Sequence, residues 1–292
     1  MTRPPVDVVV PFVGNRSDLE EVLARMTRLT LGGADSLLIV DNTAAGLRLE
    51  GLSTNGVRIV HAGECQTPGF ARNRGAAPGT APWIVFLDAD TAPIPDLLDR
   101  YFDPPPRSTT ALLAGGLQDE PVPPQASAAS RYAFLRNAMT QDDTFSFGEW
   151  GYPKSANIAC RREAFEAVGG FRGHVRAAED ADLTYRLRSA GWEVERRDAA
   201  AVVHFSRRTI CALLKQKALW GAGGAWIDRQ YPGSIPLARG PGAIRWALLA
   251  TARGLLSALR RRDRDALLYA VLRPLEAIAF ELGRRISNER RC

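Results

Sequence analysis

Lysine is nearly absent from this 292-residue chain: of 38 basic residues only Lys154, Lys215 and Lys217 are lysine. Histidine is equally scarce, with His61, His174 and His204. Four cysteines, Cys65, Cys160, Cys211 and Cys292, lie scattered with no CxxC pair. That spacing excludes a thiolate metal site, and it predicts neither a disulfide framework nor an oxidising compartment. Uncharged stretches stop well short of the ~18–20 residues needed to span a bilayer. The N-terminal MTRPPVDVVVPF has no signal-peptide core. The expectation is a soluble or peripheral protein of the cytoplasm, at most touching the inner face of the plasma membrane.

What is present argues for a folded domain. Hydrophobic residues make up 46 % of the chain, which excludes a disordered polymer. The length suits one large α/β domain or two small ones. The net charge of +6 is unevenly spread: residues 239–292 hold twelve Arg against five Asp or Glu, a charge of +7, and the preceding residues sum to −1. Any basic surface therefore belongs to the tail.

Along the chain, short apolar runs alternate with helical patterns. Strands are predicted at 7–10, 37–40, 57–60, 83–87, 111–117 and 201–205. Helices are predicted at about 18–29 with Ser17 as cap, at 69–77, 128–138, 163–168 and 178–190, and from 211 to 219, ending near the glycine-rich WGAGGAW. Residues 140–156, with Trp150, Tyr152 and Lys154, read as irregular. Strands apolar throughout, alternating with helices, point to a mostly parallel sheet covered on both faces. The tail predicts two helices split near 260–263, with Trp246, Leu248, Leu249, Leu255, Leu256 and Leu259 in one stripe. That stripe either packs on the domain or lies on an anionic membrane.

The chemistry gathers where apolar runs stop. WIVFL at 83–87 ends in Asp88-Ala89-Asp90, and LLIV at 37–40 ends in Asp41. Ligands of open parallel sheets bind beyond the carboxyl ends of the strands. Two carboxylates at period-two spacing share a side, repel each other and attract a hard divalent cation, such as one carrying a diphosphate. Arg72 and Asn73 fall in a short helix near that edge, and Glu179-Asp180-Ala181-Asp182 opens another helix, where the dipole favours acids. A turn and a helix cap remain the alternative reading of each acid.

Taken in order, VVVPF at 8–12, IVDN at 39–42, GFARNRGA at 69–76, FLDAD at 86–90, SANIACRREAFEAVGGF at 155–171 and AEDADLTYRLRSAGW at 178–192 resemble the inverting family-2 glycosyltransferases of the GT-A fold. The likeness covers about residues 6–205 and does not extend over the tail. It implies a GT-A, Rossmann-like sheet flanked by helices. Residues 1–117 would form the nucleotide-sugar half and 118–238 the acceptor and catalytic-base half, with 239–292 as a basic helical tail. The donor would be a nucleoside-diphosphate sugar and the cofactor Mn²⁺ or Mg²⁺. The resemblance gives Pro11, Asp41 and Arg72 to the nucleotide, Asp88 to the ribose or diphosphate, and Asp90, Asp88 and His204 to the metal. Asp180 becomes the general base and Glu179 orients it or the acceptor. Trp150, Lys154, Asn157 and Trp220 fall to the acceptor, a glycan, a lipid-linked molecule or a small molecule. Arg207 and Arg208 either assist the leaving diphosphate or form a solvated basic face.

One departure matters. Similar processive synthases carry Q-x-x-R-W; here Gln216-Lys217-Ala218-Leu219-Trp220 has Leu in place of Arg. Transfer of a single sugar is expected, in envelope or lipid-linked glycan synthesis, with secondary-metabolite glycosylation or non-catalytic nucleotide-sugar binding as alternatives. A nucleotidyltransferase is set aside because PFVGNRSD after the first strand has one glycine and no lysine. No nucleic-acid partner is expected.

Overall fold

The computed structural model describes residues 3–123, 125–235 and 241–292, without the side chains of 241–248 and 250, so the predicted stripe positions Trp246 and Leu248 lie outside it. The chain forms two compact units. The first comprises residues 1–118, 139–204 and 289–292, the second residues 119–138 and 205–288.

In the first unit β1 (Val6–Phe12), α1 (Arg16–Met26), β2 (Ser36–Asp41), β3 (Arg58–His61), α2 (Pro68–Ala76), β4 (Trp83–Leu87), β5 (Thr91–Pro93), α3 (Leu97–Tyr101) and β6 (Thr110–Asp119) follow in order. After α4 (Ala128–Arg136), which belongs to the second unit, come α5 (Gln141–Phe145), β7 (Asn157–Arg161), α6 (Arg162–Ala167), α7 (Glu179–Ser189) and β8 (Glu193–His204). The eight strands form one sheet in the order β3-β2-β1-β4-β7-β6-β8-β5. Its first four strands pair in parallel. β7 then runs antiparallel to both β4 and β6, and β5 antiparallel to β8. The sheet is therefore mixed, with the parallel half carrying the predicted nucleotide edge.

Strand alternation explains the continuous apolar runs. Val6, Val8 and Val10 of β1 and Trp83, Val85 and Leu87 of β4 enter one core, which α1 covers with Leu19, Val22, Leu23 and Met26. Val9, Ile84 and Phe86 enter the opposite core, under Ala71, Ala164, Phe165, Leu183 and Leu187 of α2, α6 and α7. Both faces are buried, so neither needs polar residues. Helix α1 begins earlier than predicted because Asn15, not Ser17, caps it in a reciprocal box with Asp18.

β8 is longer than the predicted strand. Its first half, EVERRDAA, hides its extended character behind charge, and those charges pair off locally. Glu195 meets Arg107 at 3.0 Å and Arg197 at 2.6 Å, and Arg196 meets Asp142 at 2.6 Å and Asp198 at 2.9 Å. The cysteine expectation also needs correction: Cys65 and Cys292 form a disulfide across a sequence separation of 227, which no local spacing could announce. It holds residues 289–292 on the first unit, where Arg290 N–H also donates to His174 O at 2.8 Å. Cys160 is buried and Cys211 exposed as free thiols.

The second unit is helical: α4, α8 (Ile210–Gln230), α9 (Pro241–Arg261) and α10 (Arg264–Gly283). Helix α8 runs through WGAGGAW instead of stopping there. A Cβ on Gly221 would lie 2.0 Å from Phe280 O, and one on Gly283 would lie 1.9 Å from Ala218 O. The glycines are thus an interhelical contact surface for α10, and this close approach outweighs their poor helix propensity. Beneath it Glu276, 4 % exposed, accepts from Tyr132 Oη at 2.8 Å and Arg136 Nε at 3.1 Å. Lys217 Nζ stands 2.9 Å from the same carboxylate and Arg273 Nη1 3.0 Å. Burial works to raise the Glu276 pKa, but Lys217, Arg136 and Tyr132 outweigh it and bring it down to about 2. Its folded pKa lies below the unfolded value, so its stabilisation is complete above the ordinary Glu range and is lost as pH falls towards 2. Chemical denaturation should show about 3 kcal/mol lost between pH 5 and pH 2 from this group, an acid dependence that Glu276→Gln lacks.

Candidate active site

The carboxyl ends of β2 and β4 carry the predicted acids. Asp41 closes β2, 2 % exposed, and its Oδ1 accepts from Thr43 N at 3.0 Å and Thr43 Oγ1 at 2.7 Å, its Oδ2 from Leu47 N at 2.7 Å. The carboxylate thereby shapes the 43–47 loop. Pro11 sits opposite Val40 in the neighbouring register of β1.

Arg72 is the centre of the site. Helix α2 is capped by the Thr67 side chain and entered through Pro68 at its first turn. It lies close on the sheet because residue 75 is glycine; a Cβ there would come within 2.4 Å of Val9 Cγ1. From this helix the buried Arg72 guanidinium donates through Nη2 to Asp88 Oδ1 at 2.6 Å and through Nη1 to Glu179 Oε1 at 2.8 Å. It also stacks 5.4 Å from the Phe171 ring centroid. Burial opposes its charge, but Asp88 and Glu179 together raise its pKa above the ordinary value. The adjacent Asn73 clasps Phe171 through two hydrogen bonds, donating to its carbonyl at 2.8 Å and accepting from its N–H at 2.9 Å. The ARN triplet therefore joins the edge of β4 to the segment leading into α7.

That segment delivers Asp180. Helix α7 is preceded by Ala178 at its N-cap, whose φ of 66° and ψ of 18° are left-handed, an unfavourable conformation for a residue with a Cβ. Glu179 is buried and Asp180 partly accessible. Burial and the neighbouring Glu179 charge push the Asp180 pKa up to about 7, against the Ala181 and Ser155 N–H groups and Arg72, which lower it. Asp182 takes no part: it is 1 % exposed and paired to Arg186 at 2.7 Å, as its i, i+4 spacing suggests.

Asp90 and His204 meet through the short β5–β8 ladder, in which Thr91 is opposite His204. His204 Nε2 lies 3.8 Å from Asp90 Oδ2. Two ligands ~2.1 Å from one cation lie at most ~4.2 Å apart, so one cation could reach both, and the imidazole beside the carboxylate suits Mn²⁺ better than Mg²⁺. Asp88 does not complete a protein cage, since Arg72 holds it, and no cluster of three His, Cys, Asp or Glu ligands occurs among the described residues.

The predicted acceptor residues separate. Trp150 stays at the site's edge, its ring 5.0 Å from Tyr185, whose hydroxyl donates to Trp150 O at 2.8 Å. Tyr152 stacks edgewise 6.2 Å from Tyr185, and its pKa is raised well above the ordinary value by burial, then by the charge of Asp180. The sequence places Tyr152 in a loop, as found, but gives no spacing signal for Tyr185, which lies about 140° round the helix from Asp180 and reaches Tyr152 and Trp150 only through the fold. Asn157 is not an acceptor contact. It is fully buried, accepts from Tyr101 Oη at 2.7 Å, and donates to Gly116 O and Ala200 O at 2.8 Å each. The Lys154 ammonium is likewise turned to Thr140 O at 2.6 Å and Asp143 at 3.5 Å. Trp220 belongs to the second unit, with Lys217 Nζ 4.2 Å above its ring.

A mixed sheet with acids at its carboxyl edge, an arginine bridging them to a helix-opening acid pair, and an aspartate–histidine pair beside them define a GT-A glycosyltransferase architecture. The chain belongs to glycosyltransferase like family 2, whose profile matches residues 4–223. A pre-mycofactocin glycosyltransferase of Mycobacterium tuberculosis is 28 % identical over 307 residues, covering 99 % of this chain and 60 % of the relative. Glycosyltransferase AglE of Haloferax volcanii is 26 % identical, over 66 % of this chain and 64 % of its own length. The chain thus spans about 60 % of the length of these relatives. Among solved structures, the Pyrobaculum calidifontis mannosyltransferase PcManGT, in complex with GDP-Man and Mn²⁺, superposes with a TM-score of 0.63 at 17 % identity, covering 98 % of this chain and 89 % of that one.

Replacing Arg72 strands two acids. Arg72→Ala should cost about 3–5 kcal/mol in urea denaturation at pH 7, because the buried Glu179 loses its counter-charge. Arg72→Lys, which cannot reach both acids as a fork, should recover only part of it.

Proposed function

We propose that this protein is an inverting glycosyltransferase that moves one sugar from a nucleoside-diphosphate sugar to an acceptor hydroxyl, in envelope or lipid-linked glycan synthesis. The observation that carries it is the Arg72 bridge, which joins an acid of the nucleotide edge, Asp88, to Glu179, the neighbour of the candidate base. Family membership supports the reaction class, and the GDP-Man and Mn²⁺ of PcManGT support the donor type and the cation. The mycobacterial relative's name supports a second acceptor class, pre-mycofactocin or a similar molecule. The division into a donor half at 1–117 and an acceptor half at 118–238 belongs to this proposal, as does a peripheral position at the inner face of the membrane.

Asp90 and His204 would hold the divalent cation, which when bound supplies Lewis-acid stabilisation of the leaving diphosphate. The protein's own residues do the rest. Asp180 takes the acceptor hydroxyl proton on Oδ1 or Oδ2, and a pKa of about 7 suits a general base at neutral pH. The Ala181 and Ser155 N–H groups orient Asp180, and Glu179, fixed by Arg72, adds to the effect of burial in keeping its proton affinity high. Trp150, Tyr152 and Tyr185 form the apolar wall against which an acceptor ring lies. Inversion follows from one displacement, with Asp180 on the face opposite the leaving group and no second nucleophilic carboxylate required.

Thermal stability with UDP, GDP, dTDP or CDP, each with Mn²⁺, Mg²⁺ or EDTA, tests the donor site. One nucleotide should stabilise only with metal, by about 2.7 kcal/mol at 100 times its Kd, and Asp90→Ala should remove the effect. Stabilisation by none of them sinks the reading. The base has its own test. Transfer should rise with pH and level off above about 7. Asp180→Asn should lower kcat by roughly 10²–10⁴. The same change should stabilise the fold at pH 8: a raised folded pKa means that stability is lost as pH climbs from the unfolded value through 7.

A further inference from the structure

The helices α9 and α10 present apolar surface that their own unit does not cover. On α10, Val271, Leu275, Ile278 and Leu282 recur at steps of four, three and four, so they share one narrow face, and each is 42–57 % exposed. An adjoining side of the helix, about 100° round, packs inward through Leu272, Glu276 and Gly283. On α9, Leu249, Leu256 and Leu259 are 48–60 % exposed. Arg253 and Arg260 lie among these leucines, four residues after Leu249 and Leu256 respectively, and both are exposed.

The charges around this surface are one-sided. Arg260, Arg261, Arg262 and Arg264 crowd the turn between the two helices and are all exposed. The acids of the same helices are committed elsewhere. Asp263 caps α10, Asp265 is paired with Arg131, Glu276 lies among Lys217, Arg136 and Arg273, and Glu281 is paired with Arg284. The arginines beside the exposed leucines thus have no counter-charge in their own helices.

This pattern selects the occupant. A second copy packed on the same face by a two-fold axis would set this arginine-bearing patch against its own copy, and like charges across an interface are repulsive. No described helix is long and apolar enough to cross a membrane. An anionic bilayer surface satisfies both features. Leucine and isoleucine enter the acyl boundary, and arginine stems lie along it with their guanidinium groups at the phosphates. We propose that α9 and α10 form a docking face for an anionic phospholipid bilayer, with both helices lying in the plane of the interface. This deepens the peripheral localisation within the glycosyltransferase reading, but the docking itself rests on the two helices alone.

Flotation of the full chain with vesicles tests it. Phosphatidylcholine vesicles should bind weakly. Adding about 30 % phosphatidylglycerol should strengthen binding by roughly tenfold or more, and raised salt should reverse much of that gain. Leu256→Gln with Ile278→Gln, and separately Arg253→Gln with Arg260→Gln, should each cut binding roughly tenfold. Both pairs are solvent-exposed, so an unchanged melting temperature confirms that the variants fold. Asp90→Ala should bind vesicles like the wild type, which separates failure of the docking face from failure of the donor site. No preference for phosphatidylglycerol overturns the proposal. So does a dimer in sedimentation that the leucine substitutions dissolve, because the face would then be an interface between copies.

Discussion

The Arg72 guanidinium, 3 % exposed in its side chain, lies between Asp88 at 2.6 Å and Glu179 at 2.8 Å, and these acids come from the carboxyl edge of β4 and the first turn of α7. Taking a guanidinium out of water is unfavourable by several kcal/mol unless its hydrogen bonds and its charge are both answered. One acid alone would not place it: the fork geometry uses two nitrogens on two carboxylates, so the edge of β4 and the start of α7 must arrive together. The contact of α2 with the sheet at Gly75 sets how deeply the arginine enters, and the Asn73 clasp on Phe171 holds the second acid's segment in register. The geometry of the site thus depends on one small helix lying flat on β1 and β2.

The same constraint shapes Asp180. Burial raises the pKa of this carboxylate most, and the charge of the adjacent Glu179, whose counter-charge Arg72 is shared with Asp88, adds to it. A left-handed Ala178 turns the two acids out of the loop in succession. Strain at Ala178 and the raised pKa at Asp180 both oppose folding stability, and the clasps around them offset the cost. Such concentration of unfavourable terms fits the proton transfer proposed for this site.

Much of this was legible in the sequence. Strands β1, β2 and β4 read correctly because both of their faces are buried and alternation has no polar face to report, whereas the edge strand β3 exposes Arg58 and His61 and reads from its β-branched Ile59-Val60 pair. The carboxyl-edge acids followed from where those runs stop. Other features depend on partners distant in the chain. The first half of β8 is a strand whose charges pair with Arg107 and Asp142, so it reads as loop. The glycines of α8 read as a break until α10 is seen to fill the space they leave. Asn157 and Lys154 resemble site residues by type and position, yet their hydrogen bonds to Tyr101, Gly116, Ala200 and Thr140 are satisfied within the first unit. The disulfide between Cys65 and Cys292 lies beyond any spacing argument. In each case the local residue type was read correctly and the partner was missing.

The donor end of the site is unevenly prepared, and this has a thermodynamic consequence under the proposed reading. Arg72 and Asp88 are locked before any ligand arrives, whereas Asp90 and His204 supply only two ligands. A hard cation of the Mg²⁺ type takes about six ligands and gives up its waters reluctantly, so a two-ligand site holds it weakly unless further oxygens arrive. The diphosphate of a nucleotide sugar brings those oxygens. Cation and donor are then linked ligands, and each raises the other's affinity by the same factor. The two carboxylates that the sequence suggests as a shared cation site are therefore divided: Asp88 is held by the arginine, and under the proposed reading Asp90 is left for a cation whose binding depends on the donor.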